Sequence, residues 1–269
     1  MAHPTDVRRG GVPLPPGGPA LDNAVRAALD GPHAHLADRY GRAARYRPET
    51  YPFAALADPA DPAAWADLHM LVGPGTTVRV KPVEQVPDGR QALGEGEGVQ
   101  PVDTALRAEP VPEAVRLGPD DRPEILDLVA RTRPGPFLRR TVEMGTCLGI
   151  RHHGRLAAMA GERLRLPGWT EISAVCTDPA HRGRGLAPRL VRAVAAGVRD
   201  RGDTRFLHAA AGNAPAIRLY ESLGLTPRRR SRIVQLRSPG TTGAGRALGV
   251  MTRAARRTPV RPAAPDGGR

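Results

Sequence analysis

The chain has 269 residues, 40% of them hydrophobic and 25% charged, which suffices for one large or two small domains with buried cores. Its net charge of +13 suggests a polyanionic partner, but eleven arginines and one acid, Asp266, lie between Arg228 and Arg269, a sum of +10 that leaves only +3 for residues 1–227. Cys147 and Cys176 have neither metal-ligand spacing nor the numbers for a disulfide framework, and no apolar run approaches the roughly 18 residues of a membrane span.

These features predict a soluble, cytoplasmic protein with buried reduced thiols, no metal and no membrane contact. Residues 1–20, with GGVPLPPGGP at 10–19, read as a disordered leader rather than a signal peptide. Residues 238–269 read as a disordered basic tail without aromatics, so contact with nucleic acid is expected only non-specifically through it.

Leu21, Val25, Ala28, Leu29 and Leu36 recur at near-helical spacing, with Gly31-Pro32 dividing the run into two helices. A helix is predicted over Pro62–Val72, where Trp65, Leu68, Met70 and Leu71 form an apolar stripe, and TTVRV at 76–80 alternates as a strand. The first part, residues 21–108, is therefore mixed α and β. Its histidines, His33, His35 and His69, lack partners at ligand spacing, and no site chemistry is expected there. Residues 87–101, PDGRQALGEGEGVQP, read as a long loop or linker.

From about residue 110 the signals tighten. A strand is predicted over Val111–Leu117, then Asp120-Asp121 caps a helix carrying Ile125, Leu126, Leu128 and Val129. Pro134-Gly135-Pro136 ends it, and Phe137–Met144 suggests a short second helix. Thr146–Arg151 and Arg155–Leu164 read as strands joined at His152-His153-Gly154. In the next strand, Trp169–Thr177, alternation sets Glu171, Ser173, Val175 and Thr177 on one face and Ile172, Ala174 and Cys176 on the other.

Arg182-Gly183-Arg184-Gly185 then meets the start of a helix with Leu186, Leu190, Val191, Val194 and Val198 on its apolar face and Gly202 at its end. A strand over Arg205–Ala211 and a helix opened by Asn213, with Ile217, Tyr220 and Leu223 on one face, complete a βαβα unit. A glycine loop at such a crossover is an anion cradle in outline, because backbone N–H groups converge where the helix dipole is positive. A dinucleotide fold is excluded by Pro188 within the glycine spacing, a P-loop by the lack of Lys after the glycines, and a serine hydrolase by the absence of G-x-S-x-G.

Two stretches, EISAVCTDPAHRGRGLA at 171–187 and NAPAIRLYESLGL at 213–225, give residues 110–237 a resemblance to the GNAT superfamily of acyl-CoA-dependent N-acyltransferases. Arg182, Gly185 and Ala187 meet its R-x-x-G-x-[GA] pattern. The resemblance implies an α/β (α+β) fold: a mixed, partly antiparallel central sheet flanked by helices over residues 109–237. Ahead of it lies the smaller N-terminal region, which by likeness to two-part members reads as a degenerate GNAT-like half.

The resemblance also implies a chemistry, acetyl transfer from acetyl-CoA to a primary amine of unspecified identity. It sets the pyrophosphate over Arg182, Gly183, Arg184, Gly185, Leu186 and Ala187. It lays the pantetheine arm along Val175, Cys176 and Thr177, with Asn213 bonding to it or capping its helix. Glu171 is implied as general base, with Glu162 as its substitute, and Tyr220 as the general acid for the leaving thiolate. A backbone N–H near Val175 would stabilise the oxyanion. The alternative is an acyl-CoA-binding sensor without catalysis.

Overall fold

A computed structural model describes residues 18–88 and 90–240, so the expected leader up to residue 17 and the basic tail from residue 241 lie outside the described residues. Helices α1 (Gly18–Asp22) and α2 (Ala24–Asp30) open the described chain, with the Asn23 side chain capping α2 at the Arg26 N–H, 3.4 Å away. An antiparallel meander follows: β1 (Ala37–Tyr40), β2 (Ala43–Tyr46) and β3 (Phe53–Leu56). These strands are rich in alanine, which gives no alternation signal. Helix α3 (Pro62–Val72) spans the residues expected, capped by the Asp61 carboxylate at the Ala63 N–H, 2.8 Å away, and β4 (Thr77–Val80) then pairs parallel to β3.

The expected loop at 87–101 is instead part of a strand, β5 (Gln91–Asp103), paired antiparallel with β12 (Leu225–Arg237) over almost its whole length. The repeat Gly94-Glu95-Gly96-Glu97-Gly98 is a period-2 pattern, with glycine on one face and carboxylate on the other. Arg232 pairs with Glu95, and Arg230 with Glu97 at 3.0 Å, so cross-strand charge stabilises a segment of low strand propensity. Five of the eleven C-terminal arginines, at 228, 229, 230, 232 and 237, therefore belong to a strand and not to a tail.

The second part runs β6 (Val115–Leu117), α4 (Arg122–Thr132), β7 (Cys147–His152), β8 (Arg155–Leu166), β9 (Trp169–Thr177), α5 (Leu186–Asp200), β10 (Thr204–Phe206), β11 (Ala209–Ala210) and α6 (Ala214–Ser222). The expected strand at 111–117 covers only its last three residues, and the expected helix at 137–144 is a single 3-10 turn at Thr141–Met144. The segment expected as one strand at 205–211 is divided between β10 and β11.

One sheet runs through both parts in the order β1-β2-β3-β4-β12-β5-β10-β9-β8-β7-β6, with β11 added to β5. The mixed, partly antiparallel sheet flanked by helices is thus present. The succession β1-β2-β3, α3, parallel β4 repeats β7-β8-β9, α5, parallel β10. On α5, Leu190, Val191, Val194 and Val198 are fully or nearly fully buried against Ile172, Tyr220 and Leu225, each worth about 1.5–3 kcal/mol of burial. The opposite face of the sheet takes α2 through Val25, Ala28 and Leu29, packed with Leu164, Leu166 and Phe206. No helix of the described residues is long and apolar enough to cross a membrane.

Candidate functional site

Strands β9 and β10 are paired only from Trp169 to Glu171, after which β11 turns to β5 and leaves the Ile172–Thr177 edge of β9 unpaired on that side. The strands part over a cavity of about 800 Å³ lined by residues from both parts of the chain. Val175, Cys176 and Thr177 lie on its wall, where an extended ligand could add as a strand.

The faces of β9 differ from those expected. Ala174 has φ 54, and the register against β8 shifts between Met159 and Gly161, so an extra residue of β9 bulges out. Parity switches there: Val175 packs with Ile172 towards α5, while Glu171 does not share its face, and Ala174 and Cys176 pack towards α4. A non-glycine residue held at positive φ costs about 1–2 kcal/mol, and here the bulged residue, Ala174, lines the cavity.

The cradle forms at the start of α5. Gly183 (φ 76) and Gly185 (φ 69) adopt the left-handed conformation, and Gly185 caps the helix with no side chain to satisfy its first N–H groups. A Cβ at either glycine would meet nothing within 4 Å, so the space above both is open. Those free amides, the positive helix end and the nearby Arg182 suit a phosphate. Arg182 and Ala187 line the cavity itself, whereas Gly183, Arg184, Gly185 and Leu186 lie outside its lining. At α3 the equivalent helix end is filled by the Asp61 carboxylate, so the repeated unit has no such cradle.

Asn213 caps α6 by accepting from the Ala216 N–H at 3.2 Å, and it also lines the cavity. Tyr220, two turns along, is 7% exposed and lines the cavity, and burial pushes its hydroxyl up to about 12.

Glu171 lies behind the wall rather than on it. Its carboxylate is fully buried and accepts from Arg163 Nη2 at 2.6 Å, Arg163 Nε at 2.9 Å, His208 Nδ1 at 2.7 Å and the Leu164 N–H at 3.3 Å. Burial raises its pKa, but Arg163 and His208 outweigh that and hold the carboxyl well below the usual carboxylate range. Glu162, the substitute, is paired with Arg201 at 2.8 Å and also lies outside the lining. Both carboxylates are engaged by arginine.

His208 does line the cavity. With Nδ1–H given to Glu171, its Nε2 is the lone-pair nitrogen, meeting the Gln100 amide nitrogen at 3.2 Å. Burial, then Lys81, depresses its pKa to about 4, so the ring is neutral at pH 7. Nothing in the sequence marked His208, because the carboxylate that orients it lies 37 residues away.

The far wall comes from the N-terminal part, where no site chemistry was expected. Tyr51, Phe53, Arg79 and Lys81 line the cavity, and the Arg163 guanidinium lies 5.0 Å from the centre of the Tyr51 ring. Gly94, Gly96 and Gly98 give β5 a face without side chains, and a Cβ at Gly94 or Gly96 would meet nothing within 4 Å. Part of the cavity exists because those side chains are absent.

Comparison with known proteins bears on this geometry. A family described as FR47-like protein matches residues 147–234. A protein of the GNAT family from Novosphingobium aromaticivorans is 40% identical, aligned over 82% of this chain and 99% of its own, with a TM-score of 0.73. A GCN5-related N-acetyltransferase from Kribbella flavida shares the fold at 18% identity, over 82% of this chain and 96% of its own, with a TM-score of 0.55. No curated protein matches the sequence.

Proposed function

The chain belongs to the GNAT family, and from that premise we propose that it is an N-acetyltransferase that moves an acetyl group from acetyl-CoA to a primary amine bound in the same cavity. The observation that carries this reading is the unpaired Ile172–Thr177 edge of β9 beside an uncapped helix end at Gly185. An extended pantetheine arm needs a strand edge, and a pyrophosphate needs convergent N–H donors. Arg182 to Ala187 would hold the phosphates, and Val175, Cys176, Thr177 and Asn213 the arm. Bound there, acetyl-CoA supplies an activated thioester.

The residues of the chain have distinct tasks in this account. A backbone N–H at the Ala174 bulge stabilises the developing oxyanion near Val175. Tyr220, kept protonated by burial, gives its proton to the departing sulfur. An ammonium has no lone pair, so the acceptor must lose a proton before attack. We assign that proton's path to solvent to His208 Nε2, which exchanges the Gln100 amide for the amine and, with a pKa lowered to about 4, relays the proton rather than keeping it, while Glu171 orients the ring through Nδ1. Glu171 is then a positioning residue, held in place by Arg163. The bonds balance: nitrogen gains the acyl carbon as the carbon–sulfur bond breaks, sulfur leaves with the Tyr220 proton, and the second amine proton returns to Tyr220.

The N-terminal part is read as a degenerate half whose sheet supplies the acceptor wall, since Tyr51, Phe53, Arg79 and Lys81 face the cavity. A cytoplasmic setting agrees with two buried, unpaired cysteines. The test is a broad amine panel with acetyl-CoA, monitored for free thiol and followed by mass spectrometry. Thiol release with a matching acetylated amine is expected. Tight acetyl-CoA binding without release for any amine would favour the silent sensor.

A further inference from the structure

We propose that the acceptor carries a carboxylate as well as its amine, and that Lys81, with Arg79 beside it, forms the subsite that holds it; this rests on the acetyltransferase reading. On β4, Val78 and Val80 face α3, so Arg79, and Lys81 one residue past the strand, lie on the opposite side, and both line the cavity. Lys81 is the only lysine in the chain. It is 6% exposed, yet among the described residues it forms no ion pair.

No wall carboxylate is free for it. Glu171, behind the wall, is taken by Arg163 and His208, and Glu95 and Glu97, which also line the cavity, are paired with Arg232 and Arg230. Arg79 and Lys81 both line the cavity, and neither forms an ion pair among the described residues, because the nearby Glu171 carboxylate is shared by Arg163 and His208. A buried ammonium without a counter-ion is unfavourable unless a ligand provides one. Burial has accordingly lowered the Lys81 pKa to about 8.

The coenzyme phosphates have their own cradle at α5, and β4 is separated from β9 in the sheet by β12, β5 and β10. The anion expected at Lys81 therefore belongs to the acceptor. A polycationic acceptor such as a polyamine would meet repulsion at the same wall.

The test compares amino acids and dipeptides with their C-terminal carboxamides, which keep the amine and remove the negative charge, with spermidine as a cationic control. Thiol release should favour at least one acid over its amide by about 10- to 100-fold in kcat/KM. Lys81→Met should collapse that ratio through KM, and Lys81→Arg should restore part of it, with thermal unfolding verifying that each variant folds. Equal or better turnover of amides or spermidine overturns the inference and leaves the acetyltransferase reading standing. A weakened acetyl-CoA Kd in Lys81→Met would assign the residue to the coenzyme and overturn it as well.

A second arm needs no turnover. The full chain labelled with [13Cε]lysine shows one lysine signal, and an acid of the panel should raise its titration midpoint while its amide should not. If no acid moves that midpoint, or the amide moves it equally, the subsite is refuted even in an inactive protein.

Discussion

Arg163 and Glu171 meet through two hydrogen bonds, Nη2 to Oε1 at 2.6 Å and Nε to Oε2 at 2.9 Å, behind the wall of the cavity. The pair ties β8 to β9 next to the point where β9 leaves β10, and it sets the His208 ring through the remaining capacity of Oε1. Removing one partner leaves an uncompensated buried charge, so Arg163→Met should destabilise the fold by about 3–5 kcal/mol. Urea unfolding of the variant against the parent protein measures this; a loss under about 1 kcal/mol would mean that the pair contributes little.

Stability should also fall on mild acidification. Burial depresses His33 and His208 from 6.5 to about 4, so the unfolded chain binds more protons than the folded one between those values. The stabilisation is complete above pH 6.5 and is lost as pH falls towards 4, on the order of 3 kcal/mol for each ring. Glu171, depressed as well, adds a further loss below about pH 4.3. Denaturant midpoints at pH 7.5, 6, 5 and 4 follow the curve, and a flat profile between 7 and 5 would contradict it.

Tyr220→Phe should keep acetyl-CoA binding and lower turnover by up to about 10²-fold, because the ring still packs in α6 but has no proton to give. Single-turnover thiol release is the measurement. An unchanged rate would remove Tyr220 from the mechanism.

His208→Gln and Glu171→Gln separate acceptor of the proton from positioner. The first should lower kcat by about 10²-fold, and the second should weaken stability and activity together, since Gln still accepts from Nδ1–H but no longer balances Arg163. Full activity in His208→Gln would return the search for a base to other groups.

Much of this site was legible in the sequence because it is local: strand Trp169–Thr177, the glycines at 183 and 185, helix α5, and the pair Asn213 and Tyr220 lie within about one supersecondary unit. The remainder depends on distant pairing. Glycine and glutamate at 94–98 look like a loop until Arg230 and Arg232 arrive opposite them from a strand more than a hundred residues later. A single bulged residue, Ala174, switched the faces of β9 beyond Ser173, so that Glu171 does not share a face with Val175, and period-2 alternation cannot foresee a bulge. Lys81 and Arg79 reach the site only because β4 joins the same sheet through β12.

Gly185→Glu should abolish coenzyme binding while the fold survives. A Cβ there meets no atom within 4 Å, and the left-handed φ of 69 costs about 1–2 kcal/mol, whereas a carboxylate at the helix end repels phosphate. Calorimetry with acetyl-CoA showing parent-like affinity would sink the cradle assignment.

Amide hydrogen exchange with and without acetyl-CoA tests the central claim most directly, since every assigned role depends on where the coenzyme lies. Protection should appear at Val175–Thr177 on the free edge of β9 and at Gly183–Ala187 at the start of α5. Saturating acetyl-CoA binding that leaves both segments exchanging at their original rates would contradict the account.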